Sequence, residues 1–148
     1  MCKYISMYFF YINMNNLIDT IKKIENILYS LERILKQECH NLLKSKTSNE
    51  EILELIKRKK ILFKKLIILS QDRLCLEKEY NIFPPYESNN KLNNYWKKII
   101  NTCLILRKLN LKNKIIMNKK FYLNQRFLEL SSSYKKSVTY NLDGNLEI

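Results

Sequence analysis

KLNNYWKKIINTCLILRKLNLKNKIIMNKKFYLNQRFLELSSSY, residues 91–134, contains neither proline nor glycine and repeats its apolar residues at intervals of three and four. That spacing places them on one face of an α-helix, which at about 1.5 Å per residue is roughly 66 Å long. The two helical segments that precede it cover only about 40 to 50 Å each. Part of the long helix's apolar face therefore has no internal partner, and this face, more than any catalytic residue, is where function is expected.

The seam begins as Leu92, Trp96, Ile99, Cys103 and Leu106, jumps by three to Leu109, and continues as Ile116, Leu123, Phe127, Leu130 and Tyr134. Read this way, the stripe swings around the helix near Asn110 and Asn113. Either the helix kinks there and folds back on its own bundle, or its second half waits for another chain. A short, flexible, non-helical tail follows with the chain's one glycine, Tyr140-Asn-Leu-Asp-Gly144.

Working back toward the N-terminus, Pro84-Pro85 stops the preceding helix and Ser88-Asn-Asn90 restarts the chain. Helix two starts near Asn49, because Ser48-Asn-Glu-Glu51 has the spacing at which a serine and a glutamate satisfy each other's backbone amides. Its seam is Ile52, Leu55, Leu62, Leu66, Leu69 and Leu76, with Lys59 and Arg73 on the same line. Helix one begins at Asn15 or Asn16, with Asp19 in its first turn, and carries Leu17, Ile21, Ile24, Leu28, Leu31, Leu35 and Leu42. Glu38 stands in the vacant place of that row, where it either meets Lys59 or Arg73 across the seam or turns to water. The short link at Lys44 to Asn49 makes helices one and two antiparallel. The expected architecture is all-α: an antiparallel hairpin plus a long third helix in a coiled-coil-like bundle. Residues 14–135 form one domain and 136–148 the tail. Residues 1–13, with the aromatic stretch Tyr4 to Ile12, read as an extension from a mis-assigned start, or as a short membrane-touching or self-associating segment.

Composition narrows the function. Hydrophobic residues make up 46% of the 148, too many for a disordered chain. Alanine is absent and Lys, Asn, Ile and Tyr abound, the mark of AT-rich codons. The net charge of +13 is spread as +2 over residues 1–50, +5 over 51–100 and +6 over 101–148. The densest run, Lys57-Arg58-Lys59-Lys60 with Lys64-Lys65, wraps around its helix with no aromatic platform beside it, so it reads as a solvated face, with a phosphate-binding patch as the alternative. Cys2, Cys39, Cys75 and Cys103 are widely spaced and read as small buried thiols, and Cys39 with His40 makes no ready metal site. There is no phosphate loop and no nucleophile–base pair, so neither an enzyme nor a cofactor is expected.

In order and spacing these pieces resemble the FlgN family of flagellar type III export chaperones, from Leu17 to Gly144. The resemblance rests on the Leu-rich first helix with Glu38 and Leu42, on Lys59, Leu62, Leu66, Leu69 and Arg73 of the second, and on Trp96 opening the third. It rests most on Leu106-Arg107-Lys-Leu-Asn110-Leu-Lys-Asn113, a further helix, and Tyr140 before Asp143-Gly144. The family usually has glycine where this chain has Lys114 and Asn141, and losing glycine at 114 stiffens the chain there. The resemblance implies a cytoplasmic, all-helical chaperone for hook-filament junction proteins of the FlgK and FlgL type. Such a chaperone prevents premature assembly and passes its clients to a gate component of the FlhA type. On that reading Ile116, Leu123, Phe127 and Leu130 face the client, unless they fold back as core. Tyr140 contacts the gate with Trp96 assisting, unless Trp96 is a core anchor. The competing functions are a helical adaptor or structural protein and, behind it, a basic nucleic-acid-binding bundle.

Overall fold

The computed structural model describes residues 2–44, 48–137, 139, 140, 146 and 147, and side-chain surroundings for 14–44, 48 and 50–132. Among these residues three helices make the fold: α1 (Cys2–Leu43), α2 (Asn49–Tyr80) and α3 (Asn90–Ser137). Beyond α3, two-residue strands β1 (Thr139–Tyr140) and β2 (Leu146–Glu147) pair antiparallel. The helix thus runs two residues into the expected tail of 136–148, and the tail residues described beyond it form this strand pairing. Asn141, Asp143 and Gly144 of the expected motif lie outside the described residues.

α2 and the turn into α3 start and stop for local reasons. Ser48 has extended backbone and its Oγ accepts from the Glu51 amide at 3.2 Å, so one of the free amides at the start of α2 is satisfied. The helix ends at Asn81, a non-glycine residue at φ 53°, whose left-handed conformation lets its amide bond back to the Glu77 carbonyl. Asn89 caps α3, its Oδ1 accepting from the amides of Lys91 and Leu92, both at 3.1 Å. At the N-terminus the expectation fails: α1 is helical from Cys2, and Asn15 and Asn16 are exposed positions inside it, not caps.

α1 is the centre of the bundle. It packs along both α2 and α3, whereas those two approach each other far less closely. Its seam is buried from Leu17 through Ile21, Ile24, Leu28 and Leu31 to Leu35, and Leu92 and Ile99 of α3 close on it. Leu62, Leu66, Leu69 and Leu76 of α2 are half-buried against the same core. Each such side chain removed from water contributes about 1.5–3 kcal/mol.

α3 runs parallel to α1. Lys22 lies 6.0 Å from the Tyr95 ring, Asn113 bonds to Leu35 and Glu38, and Lys120 Nζ donates to the Lys44 carbonyl at 2.8 Å, so positions rise together along both helices. These contacts also correct the reading of the α3 seam. The inward position after Ile99 is Thr102, which is buried, and not Cys103, which is exposed. The row Ile99, Thr102, Leu106, Leu109, Asn113, Ile116, Lys120 keeps alternating steps of three and four without a swing, and the helix is unbroken through Asn110 to Lys114.

Glu38 ties the three helices together. Its Oε1 accepts from Lys59 Nζ of α2 at 2.7 Å and its Oε2 from Asn113 Nδ2 of α3 at 2.9 Å, while Asn113 Nδ2 also donates to the Leu35 carbonyl at 2.9 Å. Arg73, the other candidate partner, pairs instead with Glu77 at 2.9 Å. Lys59→Met leaves the sheltered carboxylate with fewer partners and is expected to cost about 1–3 kcal/mol in urea unfolding. Replacing Glu38, Lys59 and Asn113 together by leucine is expected to restore that stability or exceed it. An unchanged midpoint for Lys59→Met alone contradicts the network's role.

Candidate functional site

The covered length of α3 ends where α1 ends. Lys120, bonded to Lys44 just past Leu43, marks the level on α3 at which α1 stops. α3 continues to Ser137, about 25 Å farther at the helical rise. The same three-and-four row goes on through Leu123, Phe127 and Leu130, now 64%, 69% and 69% exposed. Ile116, one step before Lys120, is half-buried within the covered part. Of the four residues expected to face a client, three lie together on the projecting end and Ile116 lies at its root.

A second set of apolar side chains, not expected from the sequence, widens this surface. Phe121 and Leu128 are seven residues apart on an adjacent face and are 71% and 67% exposed. Arg126 stands 5.9 Å from the Tyr122 ring, the contact range of a cation over an aromatic face. An end with greasy residues on two faces is suited to packing beside an amphipathic helix, which would recover the burial free energy that the chain itself leaves unrealised. Their seven-residue spacing was available in the sequence, one position to the side of the Leu123, Phe127 and Leu130 row.

Trp96 sits at the other end of α3. Its ring meets Tyr86 edge-on at 5.6 Å, and the Arg73 guanidinium lies 5.0 Å over it. Arg73 Nη1 and the Tyr86 hydroxyl both donate to Glu77 Oε1, and Tyr86 is buried at φ 61° in the α2–α3 loop. Burial, and then the bond to Glu77, push the Tyr86 hydroxyl far above its ordinary pKa. Half-buried in this cluster, Trp96 anchors the loop to the core. Tyr140 is in β1, beyond the C-terminal end of α3, and about 60 Å of helix separates Trp96 from that end. The two expected gate contacts are therefore not brought together along α3. The side chain of Tyr140 lies outside the described surroundings.

The remaining candidates are accounted for by their surroundings. Lys57, Arg58, Lys60, Lys64 and Lys65 are exposed, and Arg58 pairs with Glu54 at 2.9 Å. Cys39 is buried as expected, but Cys75 and Cys103 are exposed. Among the described residues no group of three His, Cys, Asp or Glu stands together to hold a metal, and no helix is long and apolar enough to cross a membrane.

The family model described as FlgN protein matches residues 7–148. The chain is similar to the "Putative flagella synthesis protein FlgN" of Buchnera aphidicola subsp. Schizaphis graminum (strain Sg), 47% identical over 137 residues that cover 90% of this chain and 99% of the relative. No solved structure matches. A three-helix chain with a long, projecting third helix, matched by the family model over nearly its whole length, belongs to the FlgN family.

Proposed function

We propose that this chain is a cytoplasmic flagellar export chaperone that binds hook-filament junction proteins, keeps their terminal segments from assembling early, and delivers them to the type III export gate. Its role is one of binding, with no chemical step and no cofactor. The observation that carries the reading is the α3 row Leu123, Phe127 and Leu130, exposed beyond the end of α1 on a chain of the FlgN family. The name of its relative, a flagella synthesis protein, gives the process. Junction proteins of the FlgK and FlgL type carry amphipathic terminal helices, and a helix of that kind packs lengthwise on an exposed apolar row. Ile116 extends the row to the edge of the bundle.

Leu123→Ser combined with Phe127→Ser removes two large apolar contacts from solvent-facing positions. The double variant is expected to keep its helicity by circular dichroism and to lose client binding by at least about 30-fold in calorimetry, the equivalent of about 2 kcal/mol. Collapse of the helical signal would assign the two residues to the fold instead, and undiminished affinity would remove the row from the client site.

Delivery is assigned to Tyr140, in β1 past the end of α3, which contacts a gate component of the FlhA type. Titrating the gate's cytoplasmic domain with wild type and with Tyr140→Ala is expected to show about tenfold or greater loss for the variant. Equal affinities dismiss the assignment. Trp96 is held in the loop cluster at the other end of α3, which supports its reading as a core anchor.

A further inference from the structure

The side of the bundle between α2 and α3 carries an apolar track that the client row does not use. Because α1 separates its two neighbours, a groove of about 240 Å³ opens over it. Leu31 and Leu35 form its floor, Phe63 and Leu66 one wall, and Cys103 and Leu106 the other. One position outward from the buried row of α2, Ile56, Phe63, Ile67 and Leu74 recur at the heptad's three-and-four spacing, and all are exposed. The equivalent row of α3 holds Ile100, Cys103 and Met117, exposed as well. A bundle meant to face water on this side has polar residues at such positions.

The charges along these two rows have one sign. Lys60 is the charged member of the α2 row between Ile56 and Leu74, and Arg107 and Lys114 are those of the α3 row between Ile100 and Phe121; neither row contains an acid. The geometry points to a fourth-helix slot: the groove between α2 and α3 takes one amphipathic helix whose apolar row lies over Leu31 and Leu35 and whose flanking residues are acidic, opposite Lys60, Arg107 and Lys114. From Ile56 to Leu74 the slot is about 27 Å long, room for about 18 helical residues. A second copy of this chain is a poor occupant. Its exposed apolar end on α3 has Arg126, Lys135 and Lys136 against the single acid Glu129, and two chains of +13 repel. The slot lies beside the covered part of α3 and ends before Phe121, which continues its α3 row onto the projecting end, and it does not depend on the chaperone reading.

Cys103 in the groove wall serves as the reporter. In the full chain carrying Cys2→Ser and Cys75→Ser, alkylation of Cys103 is timed with and without two synthetic peptides of about 18 residues. Both share one leucine row at heptad spacing; one has glutamate flanks and the other lysine flanks. The glutamate peptide is expected to slow alkylation about tenfold and the lysine peptide to leave it unchanged. Phe63→Ser with Ile67→Ser is expected to abolish the protection, and Leu123→Ser with Phe127→Ser to leave it intact. Lys60→Glu with Arg107→Glu, which alters exposed residues only, is expected to reverse the peptide preference. Equal protection by both peptides, no protection by either, or a chain that sediments as a dimer with Cys103 already hidden overturns the slot.

Discussion

One carboxylate fixes how far α3 is covered. Glu38 holds Lys59 with one oxygen and Asn113 with the other, and Asn113 donates as well to the Leu35 carbonyl. A seam of apolar residues at heptad spacing could slide by one repeat and still bury leucines, so hydrophobic fit alone leaves the register of α3 open. A buried amide at one seam position closes that freedom, because it finds its acceptors only opposite Leu35 and Glu38. With that register set, Lys120 falls at the end of α1, and α3 continues past that level to Ser137. A slip of one heptad would draw Leu123 and Phe127 onto α1 and leave only Leu130 of the row beyond it.

The opposite end of α3 is held by different means. Tyr86, buried in the connecting loop, stacks edge-on against Trp96 and donates to Glu77, which Arg73 also engages. This cluster sets where α3 begins, and the Glu38 network sets where its support stops. Between them the helix is a packed element; past Lys120 it has the length of an isolated peptide helix, which in water is only marginally stable without a partner. On the proposed chaperone role, rigid support followed by an exposed apolar end suits taking hold of another chain and releasing it.

The hairpin, the long third helix and the α1 seam could all be read from apolar spacing, and Ser48 announced the start of α2 through its chemistry. Glu38 and Lys59 were visible as a possible pair because each interrupted an apolar row. The start of α1 was not legible: Asn15 and Asn16 have capping chemistry, but asparagine is equally at home on an exposed helical face, and the helix runs through them from Cys2. The α3 seam was misplaced by one position because Cys103 is more apolar than Thr102, although Thr102 is the buried one. That choice produced an apparent swing in the stripe that the structure does not have. The surface beyond Lys120 was foreseen from helix lengths, yet its second apolar face at Phe121 and Leu128 was not, since a single seam was assumed.

Amide hydrogen exchange along α3 of the free protein tests this account most directly. Amides from Ile99 to Ile116 lie in the supported part and those from Phe121 to Ser132 in the projecting part. The account predicts exchange faster by at least about a hundredfold in the projecting part, and slowing of that part alone when a junction-protein terminal segment is added. Uniform protection along the whole helix in the free chain would mean that the end is already covered, and would contradict it.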